Sequence, residues 1–262
     1  MSPDQPPDPA PAEGDASPAM PAQYVDDLQD SLSRLAKLAT GLLPLEDSLT
    51  RVAQYAVRAI PGAEGAGLTL LEENRSDTIV STADFVAQID EIQYSLGQGP
   101  CVSAVADRNI VLSGSLGGDR RWPQFGSRVA RLGVHSVVSL PLITDEGVVG
   151  AMNVYAHGKN AFTADAGRLG ELFAVPAAIA VQNAQVLAQT KRLASQLQVA
   201  LSSRGVIERA VGIVMSRSGG TEAEALDRLR TLSQHQHEKL PVVAQSIVQE
   251  AVRRARARRT DR

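Results

Sequence analysis

The chain has 262 residues, 44% apolar and 21% charged, with one Cys, four His and a formal net charge of −3. That length holds one large or two medium domains with a real core; a lone cysteine excludes an internal disulfide and fits a reducing compartment. No run approaches the roughly 20 apolar residues of a membrane span, the longest, from Leu172 to Val181, containing Pro176. The net charge conceals a gradient. Residues 1–33 carry seven acidic and no basic side chains, residues 34–190 carry 12 basic and 15 acidic, and residues 191–262 carry 14 basic and seven acidic.

Residues 1–23 are rich in Pro, Ala and Asp and poor in large apolar side chains, a composition that predicts a disordered acidic tail. No basic residue precedes Arg34, so this segment does not read as a secretory signal, and a cytoplasmic location is expected. Val25, Leu28, Leu32, Leu35 and Leu38 then recur at helical spacing as far as Gly41. A second helix runs from Leu45 to Ile60 and is stopped by Pro61-Gly62. Strands are expected over 66–71, 78–81, 110–112, 137–142 and 148–155. The last two flank Thr144-Asp145-Glu146-Gly147, a hairpin signal in which Gly147 can take a positive φ. Short helices fall between the strands, over 85–94, 100–107 and 122–132. Another helix opens near Thr163 or Asp165, either of which can cap it. This order predicts an α+β domain over 24–190, an antiparallel sheet with helices on its faces.

The last third carries no strand signal and, after Phe173, no aromatic residue. Val186, Thr190, Leu193, Leu197, Ala200, Arg204, Ile207, Val211 and Val214 alternate by four and three. This seam, centred on Leu193, Leu197, Ala200 and Ile207, fits a long helix pairing with its twin in a homodimer, or lying on its own domain. Ser218-Gly219-Gly220 ends that helix. Thr221 with Glu224 forms a capping box opening a second, with Ala225, Leu226, Leu229 and Leu232 inward. Pro241 lies in the first turn of a third helix, which carries Val243, Ala244, Ile247, Val248 and Ala251. A three-helix bundle over 191–252 and a basic tail over 253–262 are therefore expected.

Catalytic signatures are missing. There is no phosphate-cradling GxxxxGK[ST] or GxGxxG loop. His235 and His237, two apart, point to different faces of any helix and cannot share a metal. No enzyme, metal or cofactor is expected. Cys101 follows Gly-Gln-Gly-Pro at a helix start, where free N–H groups can lower a thiol pKa; it is either a redox sensor or a small buried packing residue. Trp122 is either core or a platform for a ligand. Among the C-terminal cations, Arg204, Arg209, Arg230, Lys239, Arg253 and Arg254 suit phosphate, by forked or point-charge contacts and counterion release. Without aromatics, any nucleic acid there must be read by helices and polar side chains rather than by stacking. A solvated basic face remains the alternative.

Two stretches carry a resemblance. From Ala200 to Val248 the chain resembles an ANTAR domain, at Ala200, Leu201, Ser203, Arg204, Ile207, Ala210, Gly212, Met215, Ala225, Leu229, Arg230, Ser233, Gln234, Lys239, Leu240 and Ala244. Val211, His237 and Pro241 depart from the pattern, which more often has Lys, Asn and a charged residue there. From about Leu45 to Asn183 the chain resembles a GAF domain, in "GAGLTLLEE", "GQGPC", "DRRWPQF", "VHSVVSLPLITDEGVVGAMNVYA" and "FTADAGRLGELFA". The resemblance implies a GAF sensor, with or without a small-molecule signal, followed by a module that binds RNA leader stem-loops and causes transcription antitermination. It places Arg204, Arg230, Gln234 and Lys239 at matched positions, Arg204 also lying on the helical seam. A DNA-binding helix-turn-helix regulator, with a long Gly-free turn at "QHQHEKLP", and a sensor acting through a protein partner are the competing readings.

Overall fold

The computed structural model describes residues 20–72 and 75–260. Of the expected acidic tail, residues 1–19 lie outside the described residues. The chain divides into two compact units between Val186 and Leu187.

The first unit is α+β, as the alternation of patterns predicts. Two amphipathic helices, α1 (Ala22–Ala39) and α2 (Leu45–Ala59), each follow a proline, Pro21 and Pro44. Five strands follow: β1 (Gly65–Glu72), β2 (Arg75–Ser81), β3 (Val111–Ser113), β4 (Ser136–Thr144) and β5 (Gly147–Ala156). They form one antiparallel sheet in the order β2-β1-β5-β4-β3. Gly147 holds φ +130° in the β4–β5 turn, the conformation the hairpin signal requires. Between strands lie α3 (Asp84–Leu96), α4 (Pro100–Asp107) and α5 (Pro123–Val129). Both α4 and α5 begin on proline, which lacks only an N–H that a first turn leaves unpaired anyway.

The sheet is buried on both faces. Met152, Val154 and Ala156 of β5 join Leu49, Val52 and Phe173 in one core. Tyr155 and Val137 join Val86, Ile89, Trp122 and Phe125 in a second core. Alternation along β5 therefore sorts side chains between two interiors rather than between core and water.

Helix α6 (Ala164–Ser218) runs 55 residues and passes through Pro176 and through the expected boundary at residue 190 without a break. One 18-residue window of it reaches a mean hydropathy of 1.3, long and apolar enough by length and composition to cross a membrane, with 33% of the window buried inside the protein. The helix stays continuous through Pro176, and its longest apolar run is still Leu172 to Val181, short of the roughly 20 residues of a membrane span. Within the first unit Phe173, Ala177, Ala178 and Val181 are core residues of α6, while Leu172, Val175 and Ile179 stay exposed.

In the second unit, α7 (Glu222–Gln236) and α8 (Leu240–Thr260) follow α6. The capping box forms as read, with Glu224 N–H donating to Thr221 Oγ1 (3.4 Å) and Thr221 N–H to Glu224 Oε2 (2.9 Å). Ala210, Val211, Ala225, Leu229 and Ala244 make the bundle core, with Ile207, Val214 and Leu226 packed against it. Leu232, expected inward, is 41% exposed, because the small core closes around Leu229 one turn earlier. Ala251 is half-buried, and α8 carries the 253–260 segment as helix rather than tail.

Candidate functional site

The first unit brings a chain of polar groups into its second core. Asp90 of α3 is fully buried and faces β5. Its Oδ1 accepts hydrogen bonds from Asn153 Nδ2 (3.2 Å) and from the Tyr155 hydroxyl (3.0 Å). Asn153 Oδ1 in turn accepts from the Ser139 hydroxyl (2.6 Å), its register partner on β4. A carboxylate can approach the sheet so closely because β1 has Gly67 at that point. A Cβ there would stand 2.4 Å from Asp90 Oδ2. Burial, followed by the nearby Asp90, pushes the Tyr155 phenol well above its usual range.

Cys101 sits beside this chain. Its N–H donates to Gln93 Oε1 (3.0 Å), and its Sγ lies 3.6 Å from the Tyr94 hydroxyl, which donates to Thr69 Oγ1. Burial dominates at this helix start: the thiol is pushed up to about 12, the opposite of the lowering that exposed N–H groups would give. Iodoacetamide at pH 8 is therefore expected to leave Cys101 of the native protein unmodified and to alkylate it quickly in denaturant. Modification in native buffer, read by intact mass, contradicts the burial argument.

Trp122 is also buried, and its Nε1–H donates to Ser103 Oγ of α4 (2.9 Å). The Arg121 guanidinium lies 4.2 Å from its ring centroid. Arg121 also binds the Leu112 carbonyl (2.7 Å) and holds the Asp119 carboxyl down at about 2. Helix α4 thus links Cys101 and Trp122 in one wall, and both of the Trp122 features that could have met a ligand, ring face and N–H, are already engaged.

The C-terminal unit presents a different chemistry. Arg204, Arg209, Arg230, Gln234, Lys239, Arg253 and Arg254 are all exposed. Arg204 pairs with Glu208 (2.8 Å), Arg230 with Asp227 (3.2 Å), and Arg253 and Arg254 share Glu250. Such exposed pairs are worth under about 1 kcal/mol, so each guanidinium can exchange its carboxylate for a phosphate at little cost. Gln234 lies in the last turn of α7, and Lys239 lies in the corner between α7 and α8. That corner is three residues long, shorter than the sequence predicts, and His237 there has φ +52° and caps α7. Asn is the side chain best suited to such a left-handed position and His tolerates it. The His237 departure is therefore a matter of helix termination. Val211, another departure, is buried in the bundle core.

Of the seam residues, Leu193 (58% exposed), Leu197 (56%) and Ala200 face solvent, whereas Ile207 packs against the bundle core where α6 meets α7 and α8. The seam is thus two surfaces. Sequence reasoning missed the Asp90 chain altogether. The available signal was Asn153 in the middle of an otherwise apolar strand.

Comparison with known proteins follows the same division. The model of the GAF domain matches residues 43–182 and that of the ANTAR domain residues 195–248. No curated protein sequence matches. Among solved structures, the chain is similar to the GAF domain of an Acinetobacter phosphoenolpyruvate-protein phosphotransferase (15% identity, 64% of this chain and 97% of that one, TM-score 0.46). It is similar to the corresponding domain from Coxiella burnetii (13% identity, 62% and 96%, TM-score 0.47). A third similar structure is a type II free methionine-R-sulfoxide reductase from Thermoplasma acidophilum (18% identity, 52% and 92%, TM-score 0.42).

Proposed function

Because this chain belongs to the GAF-domain family and carries an ANTAR domain behind that domain, we propose that it is a cytoplasmic, homodimeric regulator that binds RNA leader stem-loops and prevents a terminator from forming. The observation that carries the reading is the ANTAR match at 195–248, over a bundle whose matched cations Arg204, Arg230 and Lys239 are exposed. Arg230, Gln234 and Lys239 would grip phosphates around the α7–α8 corner. Arg209, Arg253 and Arg254 would add sequence-independent affinity. The GAF unit would sense a signal, acting only as far as that signal binds the RNA-competent state more tightly than the other. Its part would be to bind a ligand, and the burial that raises the Cys101 thiol argues against that residue as a nucleophile.

The dimer is supported by apolar residues that recur every seven positions on α6. Leu172, Ile179, Val186 and Leu193 are each about half-exposed or more, a pattern suited to a twin helix and costly in water. Leu197→Glu should shift the protein to monomer in analytical ultracentrifugation. A dimer that survives would move the contact away from this stretch.

One observation favours a second reading. The three-residue α7–α8 corner, with His237 in the role glycine often takes, has the length of a helix-turn-helix turn. Competition decides between the two. A tandem stem-loop RNA should displace duplex DNA from the full chain at equal salt, and the reverse result would favour the DNA reading.

A further inference from the structure

A cavity of about 650 Å³ opens on the first unit, lined by α1, α2, Glu64 and Thr82. It lies on elements that the Asp90 chain does not use, and its volume is that of a small-molecule site. Arg51, Gln54, Tyr55 and Arg58 stand at i, i+3, i+4 and i+7 of α2, so helix geometry collects them on one face. Arg34 of α1 completes a set of three guanidiniums.

The carboxylates nearby are already engaged. Asp30 accepts from Arg34 Nε (2.7 Å), and Arg34, Arg58 and Lys37 all act to lower its pKa. Both oxygens of Glu64 are taken by His157, one by its backbone N–H and one by ring Nδ1. Neither Arg51 nor Arg58 has an ion-pair partner among the described residues. Of three guanidiniums, one is neutralised by Asp30, and two forked donors remain over an open cavity. Two forks fit an anion with several terminal oxygens, such as a diphosphate.

We infer that this cavity is a binding site for a small diphosphate-bearing molecule, held by Arg51 and Arg58 with Arg34, Gln54 and Tyr55 beside them. The site is independent of the RNA reading, since none of its residues lies in the ANTAR match.

Calorimetric titration of the full chain with inorganic pyrophosphate tests it. One saturable site per chain is expected. Affinity should fall at least tenfold in Arg51→Gln/Arg58→Gln and hold in Arg253→Gln/Arg254→Gln, with RNA affinity unchanged in the first variant. Absence of saturable binding, retention in the first variant, or an equal loss in the second would overturn the proposal. A measurement on the unaltered chain guards against a folding defect: pyrophosphate should slow phenylglyoxal modification of Arg51 and Arg58, mapped by peptide mass. Equal modification with and without pyrophosphate would overturn it as well.

Discussion

Replacing Asp90 with Ala is expected to lower the unfolding free energy of the GAF unit by about 2–4 kcal/mol. The side chain is fully buried, and its removal takes from the Asn153 amide and the Tyr155 hydroxyl their acceptor in the interior. Asp90→Asn keeps an acceptor at Oδ1 and should cost less than half as much. Trp122, the single tryptophan of the chain, lies in the same core and reports the transition by fluorescence during urea unfolding. A midpoint within experimental error of the parent for Asp90→Ala would mean that the polar chain contributes nothing net. The converse strain is predicted at Gly67, where any side chain collides with Asp90.

The largest functional effect is expected from Arg230→Ala combined with Lys239→Ala. Both residues are exposed and lie at or near the α7–α8 corner, and the salt partner of Arg230 is a surface aspartate that holds it weakly. Together the two changes should weaken binding to a tandem RNA stem-loop by about a hundredfold near 0.1 M salt, and flatten the slope of log K against log salt by about 0.7–0.9 per lost contact. Filter binding across a salt series separates the two quantities. An unchanged slope with an unchanged affinity would remove both residues from the interface. A drop in affinity at constant slope would point instead to a structural role at the corner.

How much of this was legible in the sequence depends on how local the determinant is. The β4–β5 hairpin rests on Gly147, the start of α7 on Thr221 and Glu224, and the start of α4 on Pro100. Each is a short-range device whose physics acts within four residues. Strand pairing in the order β2-β1-β5-β4-β3 is not local, yet antiparallel neighbours and a two-sided sheet follow from alternation plus flanking helices. The Asp90 chain was hidden because Asp90 and Tyr155 are 65 positions apart, and a carboxylate among Val86 and Ile89 reads as the solvent side of a helix. Leu232 failed for the reverse reason. Helical spacing places it on the apolar face, but only the packing of α8 decides how far the bundle core extends. Pro176 shows that a breaker in the sequence need not break a helix whose neighbours Phe173 and Ala177 are anchored in a core.

The cation positions divide in the same way. The sequence places Arg204, Arg230 and Lys239 in a matching pattern, and their exposure agrees with contact to a polyanion. Helical spacing puts Arg51 and Arg58 on one face of α2, but Arg34 comes from α1, and only folding brings the three to one cavity.

RNA is the proposed partner of the C-terminal bundle. Crosslinking the intact protein to nucleic acid in living cells and sequencing what is attached tests it most directly. The expected recovery is RNA enriched in paired stem-loops within leader regions, ahead of terminators, with enrichment lost in the Arg230→Ala/Lys239→Ala variant. Recovery of duplex DNA, or of no nucleic acid above an uncrosslinked control, would contradict it.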